Sequence, residues 1–149
     1  MPTLFDRVTE QVVRARVRRL DPLTPAKWGR FTAPAMVCHL IDAFRVPLGE
    51  LPVKPKGAWL AFPPLRWLML DVLPMPRGAP TAPEYLTTRP TEWDRDITRL
   101  EDYLARFLEF GRSPSPSWAR HPAFGQMNTT QWGVLAYKHT DHHLTQFGV

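Results

Sequence analysis

Cysteine is almost absent: Cys38 is the only one in 149 residues. No disulfide can form within the chain, and cysteine-rich zinc sites are excluded. That usage fits a reducing compartment, so a cytoplasmic protein is expected. A long apolar run is also missing. The most apolar stretch, Ala58 to Leu73, is interrupted by Pro63, Pro64, Arg66 and Asp71. It falls short of the roughly 20 apolar residues that a membrane-spanning helix needs. The start of the chain, Met1-Pro2-Thr3-Leu4-Phe5-Asp6, has no basic segment followed by an apolar core, so no secretory signal is read there. Period-two alternation of useful length is lacking, which excludes a strand-rich fold.

What is present describes a globular chain. Apolar residues make up 44% and charged residues 22%, ordinary values for a packed protein. The length suits one domain, residues 1–149. The 17 prolines are about twice average usage. They crowd residues 47–90 and 114–122, which should be loops and broken segments. The net charge is +5, with a dense patch at Arg14, Arg16, Arg18 and Arg19. No zinc-finger, RNA-binding or helix-turn-helix signature accompanies it, so the patch reads as a solvated helix face and no nucleic-acid partner is expected.

Four long helices account for the periodic segments. Leu4, Val8, Val12, Val13, Val17 and Leu20 form a stripe that ends at Asp21-Pro22. Thr32 is the N-cap residue of a second helix over about 33–46, with Pro34 in its first turn. A short helix is predicted over Leu65 to Leu73, with Leu65, Leu68, Met69 and Val72 on one side. Thr91 and Asp94 resemble a capping box for a third long helix over 92–110, closed by Gly111. Asn128 or Thr129 caps the last helix, over about 130–146. The fold class is therefore all-α, a four-helix bundle with one long proline-rich connection.

The run His139-Thr140-Asp141-His142-His143 holds three of the five histidines. In a helix, His139 and His143 stand one turn apart on one face, roughly 6 Å between side-chain roots. Two imidazoles at that spacing can grip a transition metal, but a third ligand must come from elsewhere. His39 lies mid-helix with Ala35 and Ala43 one turn to either side, which leaves room before its ring. Side chains of facing helices meet in a bundle interior, so the three can converge. His142 competes with His143. It lies about 60° from His139 around the helix, against about 40° for His143. Imidazole suits zinc, nickel, copper and iron(II) alike. The plainer reading is of hydrogen-bonded core histidines. The protease motif needs Glu after the first histidine, and Thr140 stands there instead. Asp42 and Gln146, each one turn from a candidate ligand, are placed to hydrogen-bond into the site, Asp42 either to orient an imidazole or to accept a proton. His142, if not a ligand, is placed as a supporting donor or at a helix boundary. His121, before Pro122, reads as a surface or packing residue, and Cys38 as a buried inert thiol.

These residues carry a resemblance. The segment Trp28-Gly29-Arg30-Phe31-Thr32-Ala33-Pro34-Ala35-Met36-Val37-Cys38-His39-Leu40 resembles the second-helix histidine motif of the DinB/YfiT-like superfamily. The tail, from His121-Pro122-Ala123-Phe124-Gly125 through Trp132-Gly133 to Tyr137-Lys138-His139-Thr140-Asp141-His142-His143-Leu144-Thr145-Gln146-Phe147, looks like an uncharacterised branch of it. The resemblance implies an up-down-down-up bundle, a metal site of His39, His139 and His143, zinc or nickel as the ion, and a homodimer. It also implies a low-molecular-weight thiol, such as bacillithiol or mycothiol, as a co-substrate.

Three functions are then open. One is a metal-dependent enzyme on a small molecule, similar to a thiol S-transferase or else a hydrolase. Another is a non-catalytic metal- or ligand-binding dimer with a stress or regulatory role, in which Ala58 to Leu73 forms the dimer face or a pocket wall. The third is nucleic-acid binding through the first helix, which would demand strong salt dependence.

Overall fold

Asp6 starts the first helix. Its carboxylate accepts a bond from Thr9 N at 2.8 Å, satisfying a free amide of the first turn. The computed structural model describes residues 1–57 and 59–149, without the Trp59 side chain, so the Ala58 end of the apolar run lies outside the described residues. Helix α1 spans Arg7–Val17 and buries Val13 and Val17. The expected stripe is only partly used: Val8 and Val12 are 67% and 51% exposed. Val12 and Val13 lie about 100° apart on a helix and cannot both face the core. The bundle takes Val13, with Leu4 and Leu20 completing the inner edge.

Helix α2 spans Ala33–Arg45, with Thr32 as N-cap and proline in its first turn, as the sequence predicts. It is the most enclosed helix: Met36, Val37, Leu40, Ile41 and Phe44 are all buried. A short α3, Pro63–Trp67, continues into a wider π-type turn, Leu68–Val72. There Leu73 N bonds Leu68 O, five residues back. That extra residue per turn changes the inward face. Leu70 is buried while Val72 is 48% exposed, contrary to the side expected for a regular helix.

Helix α4 spans Trp93–Arg112. Its cap is Glu92, whose carboxylate takes Asp94 N and Arg95 N. Thr91 instead gives its amide and hydroxyl to buried Asp96, so the predicted Thr91–Asp94 box does not form. Gly111 does not end the helix; it lies in the last turn, against the Phe5 ring. Helix α5 spans Thr129–Gln146, and Asn128 and Gln131 close a reciprocal capping box. Phe5 is seated between Gly111 of α4 and Gly133 of α5, where a Cβ on either glycine would collide with its ring. It stacks on Phe107 at 5.4 Å.

Side-chain contacts set the directions of the helices. Leu4 N bonds Gly133 O near the start of α5, while Arg16 pairs with Asp141 and bonds Thr145 further on, so α1 and α5 run together. Phe31, just before α2, meets His143 late in α5. Phe44, late in α2, shares a cavity with Trp132, early in α5. Those two helices are antiparallel. Phe44 also packs on Phe107, and the Asp96 charge reaches Cys38, so α4 runs with α2. Glu10–Arg112 and Arg18–Glu101 pairs show that α4 opposes α1. The order is up-down-down-up. The only bridge among the described residues is His121 with Gly125, and no strand forms. Among the described residues no helix is long and apolar enough to cross a membrane.

Candidate metal centre

α2 carries His39 at its middle, and α5 carries His139 and His143 on one face. The antiparallel crossing brings all three rings together. His39 Nε2 lies 2.9 Å from His139 Nε2. His143 Nε2 lies 3.2 Å from the same atom. One ligand atom from each histidine falls within 4.8 Å of the others, a group that could hold a metal ion. His39 and His143 are buried, and His139 keeps some contact with solvent. Around an ion with bonds of about 2.0–2.1 Å, tetrahedral donors stand roughly 3.3 Å apart. The two short separations are close to that.

The hydrogen bonds fix the tautomers. His39 Nδ1 lies 3.0 Å from Tyr85 O; a carbonyl only accepts, so Nδ1 carries the proton. His143 Nδ1 lies 2.8 Å from Gln146 Oε1. The orientation of that amide is set by its other end: Gln146 Nε2 donates to Trp28 O at 2.6 Å. Oε1 therefore faces the ring, and His143 Nδ1 is also a donor. Gly29 makes this contact possible. Its φ is +81°, and a Cβ there would lie 2.8 Å from Gln146 Nε2.

Charge on the rings is disfavoured. Burial lowers the His39 pKa, and the Tyr85 bond opposes this only in part. Burial takes His143 down to about 3, with the His39 ring adding to the effect. Burial takes His139 well below its ordinary value, and both neighbouring imidazoles push the same way. Three neutral rings result, two of them with a bare Nε2 lone pair aimed at His139 Nε2. One proton on His139 can satisfy only one of those lone pairs. The other would face a nitrogen at hydrogen-bond distance with nothing between. A cation among the three nitrogens satisfies every lone pair at once, so the donor set fits a borderline metal.

The neighbouring side chains take distinct places. Asp42 makes no hydrogen bond to His39 among the described residues. Its fully buried carboxylate accepts Thr87 N and Thr88 N at 2.7 and 2.8 Å, both threonine hydroxyls, and Arg45. Burial would raise this carboxyl, but those bonds hold it below its ordinary value. Asp42 thus anchors the segment after Pro83–Leu86, whose Tyr85 carbonyl holds His39. Gln146 holds His143 directly. His142 makes no hydrogen bond to the three rings among the described residues; its ring stands edge-on to Trp28 at 5.6 Å and to His143 at 5.2 Å. His121 lies outside the triad, packed on Phe124 and Trp132. Burial, with the charges of Asp96 and Asp42, pushes the Cys38 thiol up to about 11, as an inert buried thiol requires.

Sequence reasoning missed the Tyr85 carbonyl and the aromatic cover. Phe31 stacks on His39 at 5.0 Å and stands edge-on to His143 at 5.6 Å. A backbone carbonyl leaves no signature in a sequence. The Trp28-Gly29 turn did leave one: a glycine between large residues, just before a helix cap. A family model described as "Protein of unknown function (DUF1569)" matches residues 54–148, a span that holds α3, α4 and α5. No curated protein and no solved structure matches the chain.

Proposed function

We propose that this chain, which belongs to the DUF1569 family, is a metal-dependent enzyme acting on a small molecule. Its ion would be a divalent transition metal, zinc or nickel, held by His39, His139 and His143. The observation that carries this reading is the pair of unshared lone pairs on His39 Nε2 and His143 Nε2, both aimed at His139 Nε2. Three protein ligands with positions left open are the arrangement of catalytic sites, whereas structural sites are closed by four.

When bound, such an ion supplies Lewis acidity that favours an ionised thiol or water near neutral pH. The chain's own residues hold the site. Tyr85 O and Gln146 Oε1 fix two rings, and Phe31 shields them. The candidate ligand cluster contains no Asp or Glu among the described residues. A three-histidine zinc site brings bound water to a pKa near 7 without a carboxylate ligand, so this ligand set would serve a thiol or water alike. Thiol S-transfer is preferred to hydrolysis on the superfamily resemblance. Kinship with the DinB/YfiT-like superfamily belongs to the same reading, supported by the up-down-down-up order. So does a homodimer, which the exposed Phe62 and Trp67 support.

The test is metal content and turnover of tag-free protein. Wild type should take up one zinc or nickel per chain and consume a low-molecular-weight thiol in the presence of an electrophile. His139→Ala should do neither. Equal turnover in both proteins would reject a catalytic metal. Stoichiometric uptake without turnover would favour the non-catalytic binding protein.

A further inference from the structure

Deeper along the α2–α5 seam is a cavity of about 30 Å³. Ala43, Phe44, Leu135 and Ala136 make most of its wall apolar. None of the three histidines lines it, but Ala43 follows His39 by one turn and Ala136 precedes His139 by about one, so the cavity lies about one turn along the same two helices. Two nitrogen-bearing side chains, Trp132 and His121, also line it. Trp132 is 3% exposed, and its Nε1–H is buried with no hydrogen-bond partner among the described residues. An indole N–H can only donate. His121 Nδ1 accepts Ala123 N and Phe124 N, each at 3.1 Å. Two amides on Nδ1 leave Nε2 as the protonated nitrogen, and no acceptor meets it among the described residues. The two rings stand 5.5 Å apart.

A buried donor left without an acceptor is costly, and native structures rarely keep one without a reason. Trp132 Nε1–H is such a donor; with His121, Tyr85 and Thr140 it gives a small, mostly apolar cavity a few polar groups, of which the two ring N–H groups can only donate. We infer that this cavity is a substrate subsite that receives a compact acceptor group, the oxygen of a carboxylate or carbonyl, on the Trp132 Nε1–H and His121 Nε2–H. Its volume admits a terminal group and excludes a larger substituent. Burial lowers the His121 pKa to about 4, so at neutral pH the ring is uncharged and Nδ1 stays an acceptor for the two amides. The inference deepens the small-molecule reading of the metal centre and rests on it for the word substrate.

The test uses ¹⁵N-labelled full-length protein, metal-free and zinc-loaded. The Trp132 indole resonance is assigned by its loss in Trp132→Phe. Acetate and acetamide, one charged and one neutral, are titrated separately. A saturable downfield shift of that resonance with either probe supports the subsite and names its preferred class. His121→Phe should weaken the response about tenfold, the loss of one hydrogen bond. Should that variant fail to fold, the wild-type titration decides alone. A Trp132 resonance unmoved by both probes in both forms overturns the inference. A clear response in protein that takes up no zinc keeps the subsite and overturns the metal-enzyme reading instead.

Discussion

Removing the Asp42 carboxylate separates two roles that the sequence alone could not. Asp42 accepts five hydrogen bonds, from Thr87 N, Thr88 N, both threonine hydroxyls and Arg45. Asp42→Ala leaves two backbone amides unpaired and the Arg45 guanidinium without its counter-ion. Breaking one side of a buried ionic network costs about 3–5 kcal/mol. Asp42→Asn is milder. Its amide oxygen can keep the three bonds made by Oδ2, and Thr88 can reverse its hydroxyl. Only the Arg45 bond is lost, worth about 1.5–3 kcal/mol for a charged pair. The measurement is urea denaturation of the metal-free proteins at pH 7, where the carboxylate is ionised. A depressed carboxyl contributes stability above its ordinary pKa of 3.8 and loses it as pH falls below that value. Zinc affinity, read by competition with a chelator, adds the second axis. The segment pinned by Asp42 carries Tyr85 O, so Asp42→Ala should weaken zinc about 10–100-fold, the usual range for a partner that orients a ligand. Asp42→Asn should keep most of that affinity. An Asp42→Ala protein within 1 kcal/mol of wild type and with unchanged zinc affinity would refute the reasoning. Equal loss of zinc in both variants would mean that the carboxylate acts on the site itself.

Three further outcomes are expected. His121 is held neutral in the fold, down to about pH 4, against an ordinary value of 6.5. Its lowered pKa gives stability that is complete above pH 6.5 and lost as pH falls toward 4; the loss is about 3 kcal/mol. Denaturation of wild type and His121→Gln across that window should show different slopes, and parallel curves would contradict it. Lys138 donates to the carbonyls of Met69, Leu70 and Leu73 at the end of the π-type turn. Lys138→Met should cost about 2–4 kcal/mol and open residues 68–73 to proteolysis before the rest of the chain. Gly133→Ala gains about 1 kcal/mol of helix propensity but drives a methyl into Thr3 and Phe5. A net loss of about 1–2 kcal/mol is expected by thermal melting, and a rise in Tm would show that the N-terminal plug is loose.

Legibility in the sequence followed the range of each interaction. Helix α2 and its Thr32 cap depend on neighbours in the chain, and the pattern located them within a residue. The turn after Trp67 was misphased because a π-type step inserts a residue, which no hydrophobic period reveals. Val8 and Val12 were assigned inward because a stripe shows which residues are apolar, not how wide a face the neighbours cover. At the site, His139 and His143 were visible as a four-residue spacing and His39 as a histidine between alanines. Their common partners were not visible. Tyr85 reaches His39 across 46 positions through a carbonyl, and Asp42 supports that reach through threonines in an unpatterned loop. Interactions of this kind are made by the fold and leave little trace in local composition.

The His39–His139 contact closes a loop of 100 positions. An ion shared by those rings would work as a clasp, tying the second helix to the last. In a chain with one cysteine it would be the crosslink that no disulfide can provide. By the loop-entropy relation used for disulfides, closing about 100 residues is worth up to roughly 4–5 kcal/mol through the unfolded state alone. The family-matched span, residues 54–148, holds only one side of the clasp. Loss of the ion would therefore be felt as lower stability of the whole chain, through a longer-ranging unfolded state.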